Sequence, residues 1–143
     1  MSNQISKNPG EVVVNSLEVM TDFEKKCVHI LRHANYLFTK DNLSNCNSSI
    51  IDLFSNQFSR FLIADLISLF ASHYLRPIVR HHPNCLCVGS DENIFANILN
   101  FAFINNADEV KLLGSLLIKS KQVGSLLKKA RVVAFLIDED LKK

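Results

Sequence analysis

The chain has no tryptophan, and among its 143 residues only four are glycine and three proline. Glycine and proline end elements and turn corners, so this scarcity excludes a sheet of many short strands and points to a few long helices. An excess of one charge is also missing. The net charge is +2, which excludes the strongly basic footprint of a general nucleic-acid binder. A membrane span needs about 20 apolar residues, and the longest such run, Phe61 to Ala71, is shorter and interrupted by Asp65. The polar start, Met1 to Lys7, lacks the apolar stretch of a signal peptide. The sequence has no glycine-rich phosphate loop, no nucleophile elbow and no His-Glu-x-x-His pair. A non-enzymatic, cytoplasmic protein without a membrane segment is expected, its four cysteines free thiols or ligands rather than disulfides.

What is present is apolar matter in helical spacing. Hydrophobic residues make up 48% of the chain, ten of them phenylalanines, and a domain of this size removes roughly 70% of its unfolded surface from water. The expectation is an all-α fold: a short flexible N-terminus, residues 1–8, then one helical domain over 9–143 with about five helices. The first helix is expected to start at Asn8-Pro9 and to carry an a/d seam, Met20, Phe23, Cys27, Ile30, Ala34 and Leu37, as in bundles and coiled coils. Thr21 with Glu24 three residues on is a second capping signature that could break it near residue 21. Cys27 on the seam reads as a small buried hydrophobe. The seam and the apolar content suggest a homo-oligomer, most simply a dimer, with a further protein partner open.

A second helix starts at Ser49 and ends near Arg76-Pro77, apolar nearly all round from Phe61 to Phe70 and therefore central. Asp65 within it is an acid tuned by burial, or the one solvent-facing position of the helix, or a partner to Arg60 or a histidine from elsewhere. Ser90 caps a third helix with Asp91 and Glu92 in its first turn. A fourth starts at Asn106 and runs to Leu117 or Ile118. A fifth runs from Val123 and frays at Asp138-Glu139-Asp140, whose charges oppose the helix dipole.

The chemically distinctive stretch is His81-His82-Pro83-Asn84-Cys85-Leu86-Cys87. Imidazole and thiolate ligate zinc and other transition metals, which makes His81, His82, Cys85 and Cys87 the metal-ligating set. The one-residue gap between the cysteines is tight for one tetrahedral ion. A ligand from elsewhere, such as His73, Asp91, Glu92 or a second subunit, would ease it. His29 and His33, four apart on one helix face, are a lesser chelating pair. The loop also reads as a redox site, because thiols beside cationic imidazoles and a helix N-terminus become acidic and reactive. A disulfide across one residue would be strained. As plain structure, Arg80, His81 and His82 would cap a helix C-terminus and Cys85 to Val88 would tuck against the core.

These features lead to an interaction or regulatory module with a metal- or thiol-sensing His/Cys loop. One alternative is a DNA-binding regulator. Residues 107–131 have a helix-turn-helix flavour, with Lys119, Lys121, Gln122, Lys128, Lys129 and Arg131 able to face phosphates and base edges. The other is a small metal- or thiol-dependent enzyme, using for example Cys85 or Cys87 with His73.

Overall fold

The structure, a computed structural model, describes residues 9–34 and 56–143. Among these are five α-helices: α1 (Asp22–His33), α2 (Gln57–His73), α3 (Ser90–Phe103), α4 (Ala107–Gly114) and α5 (Val123–Leu141). Two short strands, β1 (Val13–Ser16) and β2 (Cys87–Gly89), form an antiparallel sheet. This corrects the all-α expectation: the fold is mostly helical with a small sheet.

The long N-terminal helix is corrected for the same reason. Val12, Val13 and Val14 are β-branched and favour extended backbone. They find a partner strand in the His-Cys loop, with Val13 opposite Gly89, Asn15 opposite Val88 and Ser16 opposite Cys87, and a bulge between Val13 and Asn15. The helix starts only where Thr21 and Glu24 close a reciprocal capping box. Thr21 Oγ1 accepts from the Glu24 N–H at 3.1 Å, and Glu24 Oε1 accepts from the Thr21 N–H at 2.9 Å. Of the expected seam, Cys27, Ile30 and Ala34 are buried in the chain's own core, as is Met20 ahead of the helix, and Phe23 packs against it partly buried; Leu37 lies outside the described residues.

α3 packs against α1, α4 and α5, and α2 lies on α5. The centre is therefore α3 with α5 rather than α2 with α3. α2 reaches α3 through an edge-to-face contact of Phe70 with Phe95, centroids 5.3 Å apart, an arrangement worth about 0.5–1.5 kcal/mol beyond burial. α2 buries one face, with Ile63, Leu66, Ile67 and Phe70 inward, while Phe58 and Phe61 are exposed. Its N-cap is Asn56, whose Oδ1 accepts from the Phe58 and Ser59 N–H groups; Ser49 lies outside the described residues.

Asn106 caps α4 as expected, Oδ1 accepting from the Glu109 N–H. Asn105 before it takes φ 61°, a left-handed value that asparagine tolerates well. α4 ends at Gly114, short of Leu117. A Cβ there would lie 2.5 Å from Leu126 Cδ2, so the bare glycine lets α5 approach. α5 continues through the acidic triplet to Leu141 instead of fraying. Asp140 pairs with Lys26 of α1 at 2.9 Å and Asp138 with Lys142 at 3.0 Å, which offsets the unfavourable dipole. No described helix is long and apolar enough to cross a membrane.

Candidate functional site: a carboxylate-pinned thiol loop

The segment from Arg76 to Gly89 crosses the N-terminal end of α3, and two adjacent acids there hold it. Asp91 and Glu92 are fully buried. Asp91 accepts both terminal nitrogens of Arg76 at 2.8 Å and the Val79 N–H at 2.9 Å. Glu92 takes Arg32 Nε at 2.6 Å and Nη2 at 3.0 Å, the His81 N–H at 3.0 Å and the Gly89 N–H at 3.1 Å. The rest of the Arg32 fork binds backbone, with Nη1 on the Cys85 carbonyl at 2.7 Å and Nη2 on the Cys87 carbonyl at 2.8 Å. A buried ion pair persists only when its remaining donors and acceptors are satisfied, and here the loop's amides and carbonyls satisfy them.

Arg32 therefore sets the Cys85-Leu86-Cys87 backbone. Between the two cysteines the exposed Leu86 sits at a bend, and its carbonyl accepts from the Leu17 N–H at 2.9 Å. An open cleft of about 360 Å³ lies on the Leu86 side, lined by Leu17, Lys25, His29, Pro83 and Asn84 among others.

Cys85 Sγ sits 3.8 Å from His81 Nδ1, and His81 Nε2 sits 3.2 Å from the Glu11 carbonyl oxygen. A carbonyl only accepts, so Nε2 carries hydrogen and Nδ1 faces the sulfur. The ring is wedged in place: a Cβ on Gly89 would lie 2.6 Å from His81 Nε2 and 2.9 Å from the Gly10 carbonyl. A thiol, a base and a group orienting the base are thus in line. The His81 hydrogen bond, then the backbone bond of Cys87, lower the Cys85 thiol below the ordinary cysteine value. The hydrogen bond and charge of Cys85 push Cys87 up. The two thiols are thus shifted in opposite directions, Cys85 down and Cys87 up. Cys27 differs: it is fully buried, and burial raises its thiol well above the usual value.

Of the expected metal set, the structure brings His81 Nδ1 and Cys85 Sγ within 3.8 Å, with Cys87 two positions along the chain. The ring of His82 is turned to its own turn, Nδ1 accepting from the Asn84 N–H at 3.2 Å. Among the described residues, no group of three or more His, Cys, Asp or Glu side chains is arranged to hold a metal ion. Asp91 and Glu92 are committed to arginines and amides. The cysteine's imidazole is His81 rather than His73, which ends α2. His29 and His33 approach with ring centroids 6.3 Å apart. Asp65 is half-exposed and paired with Lys129, so its solvent-facing reading holds and the buried acid does not. Lys119, Lys121, Lys128 and Arg131 are exposed, while Gln122 and Lys129 are half-buried.

The sequence reading missed Arg32. A signal was present: Arg32 falls four residues after Val28 on the apolar face of α1, where a charge needs a buried partner. No protein-family model, no curated protein and no solved structure matches this chain.

Proposed function

We propose that this chain is a non-enzymatic, cytoplasmic interaction or regulatory module whose chemical input is the Cys85/Cys87 thiol pair seated against His81. The observation that carries the reading is the Cys85–His81–Glu11 line, 3.8 Å and 3.2 Å. It ties the state of one sulfur to the backbone of the N-terminal segment. That segment also carries the nearest surface for a partner. Val12, Val13, Val14, Val19 and Leu86 are exposed; Val13 and Val14 lie in β1, which pairs with the strand that carries Cys87. Among the described residues β1 pairs with β2 on one side only, and an edge strand is a template for pairing with another chain. The partner is a second copy of the chain, because an antiparallel edge-to-edge contact of one strand with itself is the self-complementary arrangement a two-fold dimer requires.

The test is solution mass by light scattering over a range of concentrations, for reduced protein, protein alkylated at the loop and Val13→Lys. The expected result is a dimer that weakens on alkylation and is lost in Val13→Lys, since an edge lysine blocks strand pairing. A concentration-independent monomer in all three samples overturns the reading.

A further inference from the structure

We propose that Cys85 and Cys87 form a thiol–disulfide exchange site for low-molecular-weight disulfides, with Cys85 the attacking sulfur and Cys87 the resolving one. This rests on reading the loop as the chain's chemical input and names the class of molecule that acts on it. Three observations converge. His81 Nδ1 lies 3.8 Å from Cys85 Sγ with its other nitrogen on the Glu11 carbonyl at 3.2 Å, so a base is already aimed at the sulfur. The Arg32 fork holds the carbonyls of both cysteines at 2.7 and 2.8 Å, which fixes the backbone on either side of Leu86 and keeps a second thiol one residue beyond it. Cys87 is exposed and Cys85 partly so, so a small disulfide reaches both. Among the described residues, the titratable groups that act on Cys85 are His81 and Cys87, while the Arg32 charge acts on Cys87.

The chemistry balances without a further reagent. His81 Nδ1 takes the Cys85 thiol proton. The Cys85 sulfur then attacks one sulfur of glutathione disulfide, forming a mixed disulfide and breaking the glutathione S–S bond. The leaving glutathione thiolate takes the proton back from His81. Cys87 next attacks the Cys85 sulfur, closing a Cys85–Cys87 disulfide and releasing a second glutathione that carries off the Cys87 proton. Two protein thiols are oxidised to one disulfide and one glutathione disulfide is reduced to two thiols. A disulfide closed across one residue is strained, and strained exposed disulfides are readily reduced, so reduced glutathione reverses the step. Closure also pulls on the carbonyls held by Arg32 and on the Leu86 carbonyl held by the Leu17 N–H. The closed state is therefore felt at β1.

The experiment exposes the reduced full chain to glutathione disulfide and follows the adduct by intact mass and peptide mapping. In wild type the expected product is the Cys85–Cys87 disulfide, reached through a transient adduct on Cys85. Cys87→Ser stops at one glutathione on Cys85. The Cys85 rate at pH 7 is expected to exceed that of an unstructured cysteine peptide by roughly 5- to 10-fold. His81→Asn removes that advantage at pH 7 but not well above the thiol range, where every sulfur is ionised; a merely structural role for His81 would slow exchange at all pH values. First addition at Cys87 or Cys46, or a Cys85 rate equal to the peptide's, overturns the proposal. The same samples separate it from the reading it rests on. Exchange at Cys85 with an unchanged solution mass supports the exchange site and removes the regulatory module. A mass change on alkylation, without faster exchange, overturns the exchange site alone.

Discussion

Two acid–base pairs of this chain use the same kinds of group in opposite ways. Arg32–Glu92 is fully buried, and its atoms are shared with five loop residues: His81, Pro83, Cys85, Cys87 and Gly89. Asp65–Lys129 joins α2 to α5 at the surface, with side chains 44% and 30% exposed, beside a pocket of about 150 Å³ lined also by Leu62, Lys128 and Val132. The first pair organises a loop that has only a short ladder, at Cys87–Gly89; the second decorates two helices whose hydrogen bonds are already complete. A buried pair cannot be halved without leaving an unmatched charge away from water, whereas a surface pair is exchanged for water at little cost. The thiol site stands on the first kind.

Breaking the comparison at its strong end has the largest effect. Glu92→Ala strands the Arg32 guanidinium and frees the His81 and Gly89 amides. The expected loss is about 3–5 kcal/mol of unfolding free energy, read as a lowered urea midpoint. Amide exchange should accelerate first at His81, Gly89 and β1, because the loop loses its anchor before the helices lose theirs. A loss under about 1 kcal/mol would mean that the pair does not hold the loop.

Asp65→Asn tests the weak end. The lysine returns to solvent, and the change is expected to lie within about 0.2–1 kcal/mol, with loop amide exchange and Cys85 reactivity unmoved. A loss as large as that of Glu92→Ala would erase the distinction between the two regions.

The difference between these pairs also explains what the sequence disclosed. Local signals were legible. Thr21 with Glu24 marks the start of α1, Asn106 the start of α4, and the spacing of Cys27 puts it in the core. Each depends on residues within one or two turns of chain. What failed depends on distant partners. Val13–Ser16 is a strand only because Cys87–Gly89 lies alongside it, more than 70 residues later. α5 keeps its acidic end because Lys26 reaches Asp140. Asp91 and Glu92 look like ordinary first-turn acids until Arg76 and Arg32 are brought to them. The His-Cys loop was found from its composition. Which histidine serves which cysteine was set by the Glu11 carbonyl and Gly89, and spacing alone does not contain that.

The smallest effect sharpens the comparison through pH. His29, on α1 beside the thiol loop, has its pKa lowered from the ordinary 6.5 by burial first, then by the charges of Arg32, His33 and Lys26, with Glu92 opposing them. The folded state therefore prefers the neutral ring. Above pH 6.5 both states are neutral and His29 contributes nothing to the pH dependence. As pH falls through 6.5 the unfolded chain takes up the proton first, so stability declines until the lower, folded value is passed. Urea midpoints measured from about pH 7.5 to 5 should fall, and His29→Gln should flatten that slope. The ring belongs electrostatically to the buried pair, because Glu92 is its one raising neighbour and Arg32 the largest lowering charge. Glu92→Ala should accordingly steepen the acid decline per unit of pH, while Asp65→Asn should leave it as it was. An unchanged slope in His29→Gln would assign the acid sensitivity to another group and detach His29 from the loop's charge network.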